Sequence, residues 1–488
     1  MSASAAEPTR LRSRRALYDA LLVGLTRALI TTLCLWSGFR AISDDDYSRV
    51  VIAQRFAAAP SLDPSGTSWL PLPFWLYGAP MWLLGDSLLT ARAVAWLLGV
   101  GGAVLVWLSG RVLGLGERAA LLGALGAALL PYGAWLSAAT VPEAPSAALL
   151  LFGVVSLARP ETKLRTWGGA ALGAACFCRY EAWPPALSFG LICGVQALRQ
   201  RRRELWLAVL LALLPMALWL LHGSVRHGSA LFFVTRVSQY RAALGHEAGG
   251  WAHALLSTPW SIVRFEPELL AVVTVALGLS LWKRQSPFAS GALGPAVALL
   301  ALLAFLIVAS ATGGTATHHP ERSLLPIFWF LALLAAGLIT KLARQPAQAW
   351  RLPVLALPLA LAGNLLLRPE LRSGFVDRRE EEQVGGLLRG LSARKIALDG
   401  DDFGFFAIQA ALGHGKSWPL SDLDPRRPAQ PRPSSAPELA ARLRQHDAEW
   451  LVTTRLRQQL ALPLGQLRAS TPRFALIELD REVLQASR

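Results

Sequence analysis

Three adjacent carboxylates, Asp44, Asp45 and Asp46, stand between Ser43 and Tyr47, directly after the first long apolar stretch of the chain. Neighbouring carboxylates at the mouth of a bilayer repel one another and lose hydration, so they are costly to keep there without a task. Side chains of this type can take a proton from an attacking group or hold a divalent cation. The bland alternative is a solvated acidic loop. Which applies depends on the elements that carry the cluster.

Those elements are membrane helices. Of 488 residues 53% are hydrophobic and 16% charged, with a mean hydropathy of +0.40. Apolar runs near the 20 residues that cross a hydrocarbon core recur along the chain. The spacing predicts spans at about 17–39, 91–111, 119–137, 144–158, 167–178, 182–198, 205–222, 268–282, 291–310, 324–341 and 352–367. The first run is too long for a cleaved signal peptide and reads as a retained anchor.

The net charge of +16 could suggest nucleic acid, but its distribution argues against that. Arg10, Arg12, Arg14 and Arg15, then Arg111 and Arg118, then Arg159, Lys163 and Arg165, fall in short connections. So do Arg199, Arg201, Arg202 and Arg203, then Lys283 and Arg284, then Lys341, Arg344 and Arg351. These clusters occupy every second gap, as the positive-inside rule requires. The basicity is topological, with a cytoplasmic N-terminus of residues 1–16 and the C-terminus outside. Cys34, Cys176, Cys178 and Cys193 lie in predicted spans, fit no metal or redox spacing, and read as packing residues without a disulfide.

Between the first two spans lies an external loop, 40–90. Val50, Val51, Ala53, Phe56 and Ala57 recur at helical spacing after the acids, whose charge a helix N-terminus stabilises. A turn at Pro60 to Gly66 follows, then the aromatic, proline-rich Ser68 to Tyr77, read with residues up to 84 as an interfacial rather than spanning helix. Beyond Arg368 the long apolar runs cease. Residues 369–488 read as a small external α/β domain. Its strands are predicted at Arg394–Asp399, Trp450–Thr453 and Phe474–Leu479, its helices at Phe403–Leu412 and 438–447, and a proline-rich loop at 424–437. Gly413 to Ser417 lacks the leading glycine of a P-loop, and Asp399 to Asp402 lacks calcium-loop spacing.

Asp45-Asp46-Tyr47-Ser48-Arg49-Val50-Val51-Ile52-Ala53 resembles the acidic signature of the C-type (GT-C) glycosyltransferases that use polyprenyl-phosphate sugars. The protein O-mannosyltransferases and lipid A aminoarabinose transferases are the most similar groups. Leu70-Pro71-Leu72-Pro73-Phe74-Trp75-Leu76 is similar to their interfacial helix, and Ala91-Arg92-Ala93-Val94 to the start of their second span. Thr140-Val141-Pro142-Glu143-Ala144-Pro145 resembles their second external loop. Arg179-Tyr180-Glu181 and Glu321-Arg322-Ser323-Leu324-Leu325-Pro326 resemble a charged break and a late Arg-x-Leu-Pro motif. The resemblance covers about 17–370. Two positions depart from it: Asp46 stands where Glu is common, and Trp69 stands where some members carry a donor-phosphate lysine.

The resemblance implies an α-helical polytopic GT-C-like protein of about eleven spans over 17–368, followed by the small α/β domain. It implies sugar transfer from a polyprenyl-phosphate donor to an acceptor hydroxyl on the external face, and the Ala-, Leu- and Arg-rich composition adds a bacterial inner membrane, with that face periplasmic. Such a reaction needs a base, cations for the phosphate leaving group and a site at the membrane surface; a single displacement inverts C1. Asp45 is assigned as base, with Asp46 assisting or holding a metal, and Asp44 as solvated. Glu143 is a catalytic candidate, or alternatively a helix N-terminal charge after Pro142. Arg92, Arg179 and Arg322 are phosphate candidates, since guanidinium binds phosphate bidentately, or else snorkelling residues. His318 and His319 join Asp46 as candidate ligands for a divalent metal; no other cofactor is implied. His222, His227, His246 and His253 lie in or near the external loop 223–266 and are unranked. The partners are the donor, a lipid, glycan or protein acceptor and membrane lipids, without nucleic acid. A transporter or lipid-linked sugar flippase is the alternative, and expects internal repeats that are not seen. A scaffold presenting the α/β tail leaves Asp45 and Glu143 without a role.

Overall fold

The computed structural model describes residues 9–245, 250–283, 291–313, 320–343, 375–400, 402–413, 417–424, 426 and 431–486. Apolar composition and helical spacing produce α1 (Thr9–Trp36), then α2 (Asp44–Ala58) and α3 (Leu72–Leu84) in the first loop, and α4 (Leu88–Val112). There follow α5 (Glu117–Leu129), α6 (Pro131–Ala138), α7 (Glu143–Val155), α8 (Thr162–Cys176), α9 (Trp183–Arg199) and α10 (Leu205–His227). The helical region continues with α11 (Phe232–Ala243), α12 (Gly250–Phe265), α13 (Pro267–Trp282), α14 (Leu293–Thr312), α15 (Pro320–Ser323) and α16 (Leu325–Leu342).

Ten of the eleven expected spans coincide with helices or helix pairs; the last, 352–367, lies outside the described residues. By length and apolarity α1, α4, α10, α14 and α16 can each cross a bilayer alone. The pair α5 and α6 would make a sixth but bends by 70°. Its break has a local cause: Leu130 precedes Pro131 and adopts φ −59°, ψ 122°, outside the helical region, as the proline ring demands. Helices α7 and α13 are apolar but shorter.

Packing inside this layer follows membrane rules. Gly169 and Gly173, one turn apart on α8, let that helix approach α10 so closely that a Cβ at either would overlap the carbonyl oxygens of Ala208 and Leu211. On the outward face of α10, Leu210, Leu214, Leu218 and Leu221 are exposed, as lipid-facing residues are. Helix α3, at 13 residues, rises only about 20 Å and cannot cross. That agrees with the interfacial reading of the aromatic segment.

The C-terminal region folds as expected into a small α/β unit. Its longer helices are α17 (Arg379–Gly390), α18 (Phe405–Leu412) and α19 (Ala436–Gln445), with short ones at Gln458–Ala461 and Arg481–Ala486. Its strands are β1 (Ile396–Asp399), β2 (Ser417–Pro419), β3 (Trp450–Thr454), β4 (Gly465–Ser470) and β5 (Phe474–Leu479). They order as β2-β1-β3-β5-β4, parallel across β2, β1 and β3 and antiparallel at the β5–β4 side. Sequence reading missed α17, β2 and β4. β2 is only three residues long, and β4 is mostly exposed, so neither carries a strong apolar signal.

This unit docks on the acidic helix. Ala407 and Ala410 of α18 pack with Tyr47, Val50, Val51 and Ala53 of α2 in one core. Gln54 donates to the carbonyl of Ala410 at 2.8 Å. The α/β unit therefore covers part of α2 and leaves another part open.

Candidate active site

Successive residues of a helix point about 100° apart, and the three aspartates at the start of α2 diverge accordingly. Asp46 turns inward and is 2% exposed. Its Oδ2 accepts the N–H groups of Ile42 and Ser43, both at 3.2 Å, and its Oδ1 accepts Thr140 N–H at 3.0 Å. Burial outweighs these donors and the nearby Arg322, pushing its carboxyl up to about 6. With both oxygens occupied, Asp46 ties the start of α2 to the turn before α7.

Asp44 turns to the α/β unit, and here the reading of it as solvated is corrected. Arg378 grips it bidentately, Nε to Oδ1 at 2.9 Å and Nη2 to Oδ2 at 3.0 Å. The same guanidinium also meets Glu381 and Asp402, at 3.0 and 2.7 Å, and against the cost of burial Asp44 and Asp402 strengthen its hold on its proton. Next in line, the Tyr47 hydroxyl donates to Glu382 at 2.7 Å. Burial and that carboxylate hold the phenol far above its ordinary value.

Asp45 lies between these two and is exposed. Its charge is felt by Arg49, Arg322 and Tyr240. Arg49 is one helical turn on, at i+4 and hence on the same face as Asp45. Its guanidinium lies 4.2 Å from the ring centroid of Trp69 and 5.9 Å from that of Phe74. It makes no ion pair among the described residues, and its Nε has no hydrogen-bond partner there.

Glu143 opens α7 and is 4% exposed. Its Oε1 accepts from Arg179 at 2.6 Å, while its Oε2 has no hydrogen-bond partner among the described residues. Arg179 also engages Glu181, at 2.7 and 3.2 Å. Ser323 of α15 donates to the same Glu181 at 3.0 Å. Arg322, 7% exposed, is drawn by the charges of Glu143, Asp46 and Asp45, and they raise its affinity for its proton against the cost of burial. Its Nε is likewise without a partner there.

The candidates therefore fall into two groups. Asp45, Asp46, Glu143, Arg179 and Arg322 converge, although they come from α2, α7, the break before α9 and α15. Arg92 stands apart, holding Glu382 of α17 bidentately at 3.0 and 2.5 Å; that engagement joins α4 to the α/β unit. His318 and His319 lie outside the described residues. Arg49 was missed by sequence reasoning, although its i+4 relation to Asp45 was available. The aromatic segment is fixed beside it: Leu72 N–H donates to Phe177 at 3.2 Å and the Tyr180 hydroxyl to the Ser68 carbonyl at 2.7 Å.

Such a constellation, an exposed carboxylate facing two guanidinium groups with open donors, suits removal of a proton beside a bound anion. Residues 65–222 match the family model of the dolichyl-phosphate-mannose-protein mannosyltransferases. The crystal structure of ArnT from Cupriavidus metallidurans bound to undecaprenyl phosphate is similar, with a TM-score of 0.60 at 16% identity, over 98% of this chain and 99% of that one. Its apo form gives 0.58 at 14%, over 96% and 98%. The archaeal oligosaccharyltransferase AglB from Archaeoglobus fulgidus, in complex with an inhibitory peptide and a dolichol-phosphate, gives 0.52 at 11%, over 96% and 74%. No curated protein sequence matches the chain. Nearly the whole chain thus shares the GT-C fold of these structures, and its residues 65–222 match that family model.

Proposed function

We propose that the chain transfers a sugar from a polyprenyl-phosphate donor to an acceptor hydroxyl at the membrane face that carries Asp45. The charge alternation of the connections supports reading that face as external, and the Ala-, Leu- and Arg-rich composition supports reading the membrane as a bacterial inner membrane. The observation that carries the reading is the exposed Asp45 carboxylate beside two guanidinium groups, Arg49 and Arg322, whose buried Nε atoms have no hydrogen-bond partner among the described residues.

In the reaction the acceptor oxygen attacks C1 of the sugar and its proton passes to the Asp45 carboxylate. The C1–O bond to phosphate breaks, and polyprenyl phosphate leaves with the electron pair and the negative charge. Arg49 and Arg322 stabilise that charge as it develops. Attack opposite the leaving group inverts C1. Glu143, held by Arg179, keeps Arg322 oriented and lends negative charge near the oxocarbenium-like centre. An apolar groove between α3 and α4, lined by Leu76, Pro80, Leu84, Leu89, Val94 and Leu97, offers the polyprenyl chain a path along the bilayer edge.

The test offers the purified protein, in lipid nanodiscs, a panel of labelled polyprenyl-phosphate sugars with a membrane and periplasm extract. Transfer of label with inverted anomeric configuration supports the reading. Translocation of a donor without transfer contradicts it.

A further inference from the structure

Arg27 stands on α1, a helix apolar enough to cross a bilayer, and is 1% exposed. A guanidinium in such a place is costly to keep, and its partners show what it does. They are the two ends of the broken helix. In a continuous helix the Ala127 carbonyl would pair with the N–H of residue 131, but Pro131 has none. Arg27 Nη2 takes that place, donating to the Ala127 carbonyl at 3.1 Å. Across the break, Tyr132 N–H is one of the orphan donors in the first turn of α6. It bonds Glu266 Oε1 at 3.2 Å. Glu266, between α12 and α13, is fully buried, and its charge acts on Arg27. A cation at the end of α5 and an anion at the start of α6 match the two helix dipoles.

The same Tyr132 reaches the carboxylate–guanidinium cluster. Its hydroxyl donates to Glu321 Oε1 at 3.4 Å, and the phenol oxygen also interacts with the Arg322 guanidinium. The buried ring packs on Phe265, with centroids 5.1 Å apart. Backbone and ring of Tyr132 are therefore both anchored to the 265–266 pair, which fixes where the hydroxyl lies.

We propose that Tyr132 is a positioning residue for Arg322, and that Arg27 and Glu266 set its place by satisfying the two ends of the α5–α6 break. This rests on the reading of Arg322 as a group that meets the donor phosphate. A guanidinium presents its planar fork of N–H groups to phosphate only when held in one orientation. Glu143 supplies opposite charge to Arg322. The Tyr132 hydroxyl, bonded to Glu321 and in contact with Arg322, supplies the direction.

The experiment uses the full chain in lipid nanodiscs and measures binding of undecaprenyl phosphate, so the readout does not depend on transfer. Arg322→Ala should weaken binding at least about 10-fold. Tyr132→Phe keeps the ring and the N–H bond to Glu266 and should weaken it about 5-fold. In the Arg322→Ala background Tyr132→Phe should cost nothing further, because it acts through Arg322. A merely structural role would cost the same in both backgrounds. The double variant Arg27→Met, Glu266→Leu strands no charge and should show the same loss, again only when Arg322 is present. Melting temperatures confirm that each variant is folded. Tyr132→Phe binding as tightly as wild type, or losing as much without Arg322 as with it, overturns the proposal. A folded double variant that binds like wild type overturns the part assigned to Arg27 and Glu266. Binding that ignores Arg322→Ala overturns the reading of Arg322 and the proposal with it, whereas Arg322-dependent binding without sugar transfer overturns only the transfer.

Discussion

The Arg49 guanidinium carbon lies over the Trp69 ring, 4.2 Å from its centroid. This pairing falls where the sequence departs from the family it resembles. There the chain carries the Trp69 indole, and the indole supports a cation supplied from α2. A guanidinium over an aromatic face is held electrostatically while its edge N–H groups stay free. Arg49 can therefore offer the phosphate a fork in place of an ammonium.

If so, the two residues fail together. Arg49→Ala is expected to lower kcat/KM for transfer by about 100-fold, the scale of losing one donor to a developing anion. Trp69→Ala should cost about 10-fold, through loss of a cation–π contact of roughly 1–2 kcal/mol. The double variant should fall well short of the product of the single effects, since both act through one cation. Full additivity would separate Trp69 from Arg49.

Helix geometry explains why the acidic run was legible as a site but not as three roles. Side chains 100° apart cannot share one task, yet which of them faced inward depended on contacts distant in sequence. Asp44 meets Arg378 across 334 residues, and Arg92 meets Glu382 across 290. No local pattern announces such pairs. Arg49 differs, because its i+4 spacing from Asp45 was readable. Apolar periodicity located the membrane layer and the central strands well, while the short β2 and the exposed β4 escaped it. Glu143 and Arg179 were each visible as charges in tight connections; their partnership, at 2.6 Å, was not.

The α/β unit is expected to lean on two clamps, Arg378 with Asp44 and Glu382 with Arg92 and Tyr47. Removing one member of a partly buried pair strands the other charges. Glu382→Ala should lower stability by about 2–3 kcal/mol and make the α/β unit more open to limited proteolysis. Arg379→Ala, whose partner Asp377 is exposed like itself, should change little. Equal protection of Glu382→Ala and wild type would remove the clamp.

Asp46 sets a pH dependence. Its carboxyl is held at about 6 in the folded chain against an ordinary 3.8, so the folded state binds a proton more tightly than the unfolded state. Stability from this group is full below about pH 4 and is lost as pH rises through about 6. A two-unit difference corresponds to an effect on the order of 3 kcal/mol. Asp46→Asn should be less stable throughout, because its amide cannot accept all the N–H groups that Asp46 accepts. The difference in melting temperature between wild type and Asp46→Asn should narrow between pH 4 and pH 6. A constant difference would contradict the assignment.

Glu143→Gln keeps the shape but removes the charge that faces Arg179 and Arg322. Transfer should drop about 10- to 100-fold, with kcat affected more than KM, since the effect falls on orientation in the transition state. An unchanged kcat with a raised KM would make Glu143 a donor-binding residue instead.

The central claim is that Asp45 takes the proton of the acceptor hydroxyl, and sugar transfer by Asp45→Asn in nanodiscs tests it most directly. Asparagine keeps the size and exposure of the side chain but cannot accept that proton at neutral pH. The variant should bind the polyprenyl-phosphate donor as the wild type does, since Arg49 and Arg322 are intact, and lose transfer by about 100-fold or more. Transfer at the wild-type rate by a variant with intact donor binding would contradict the account and move the base to another carboxylate.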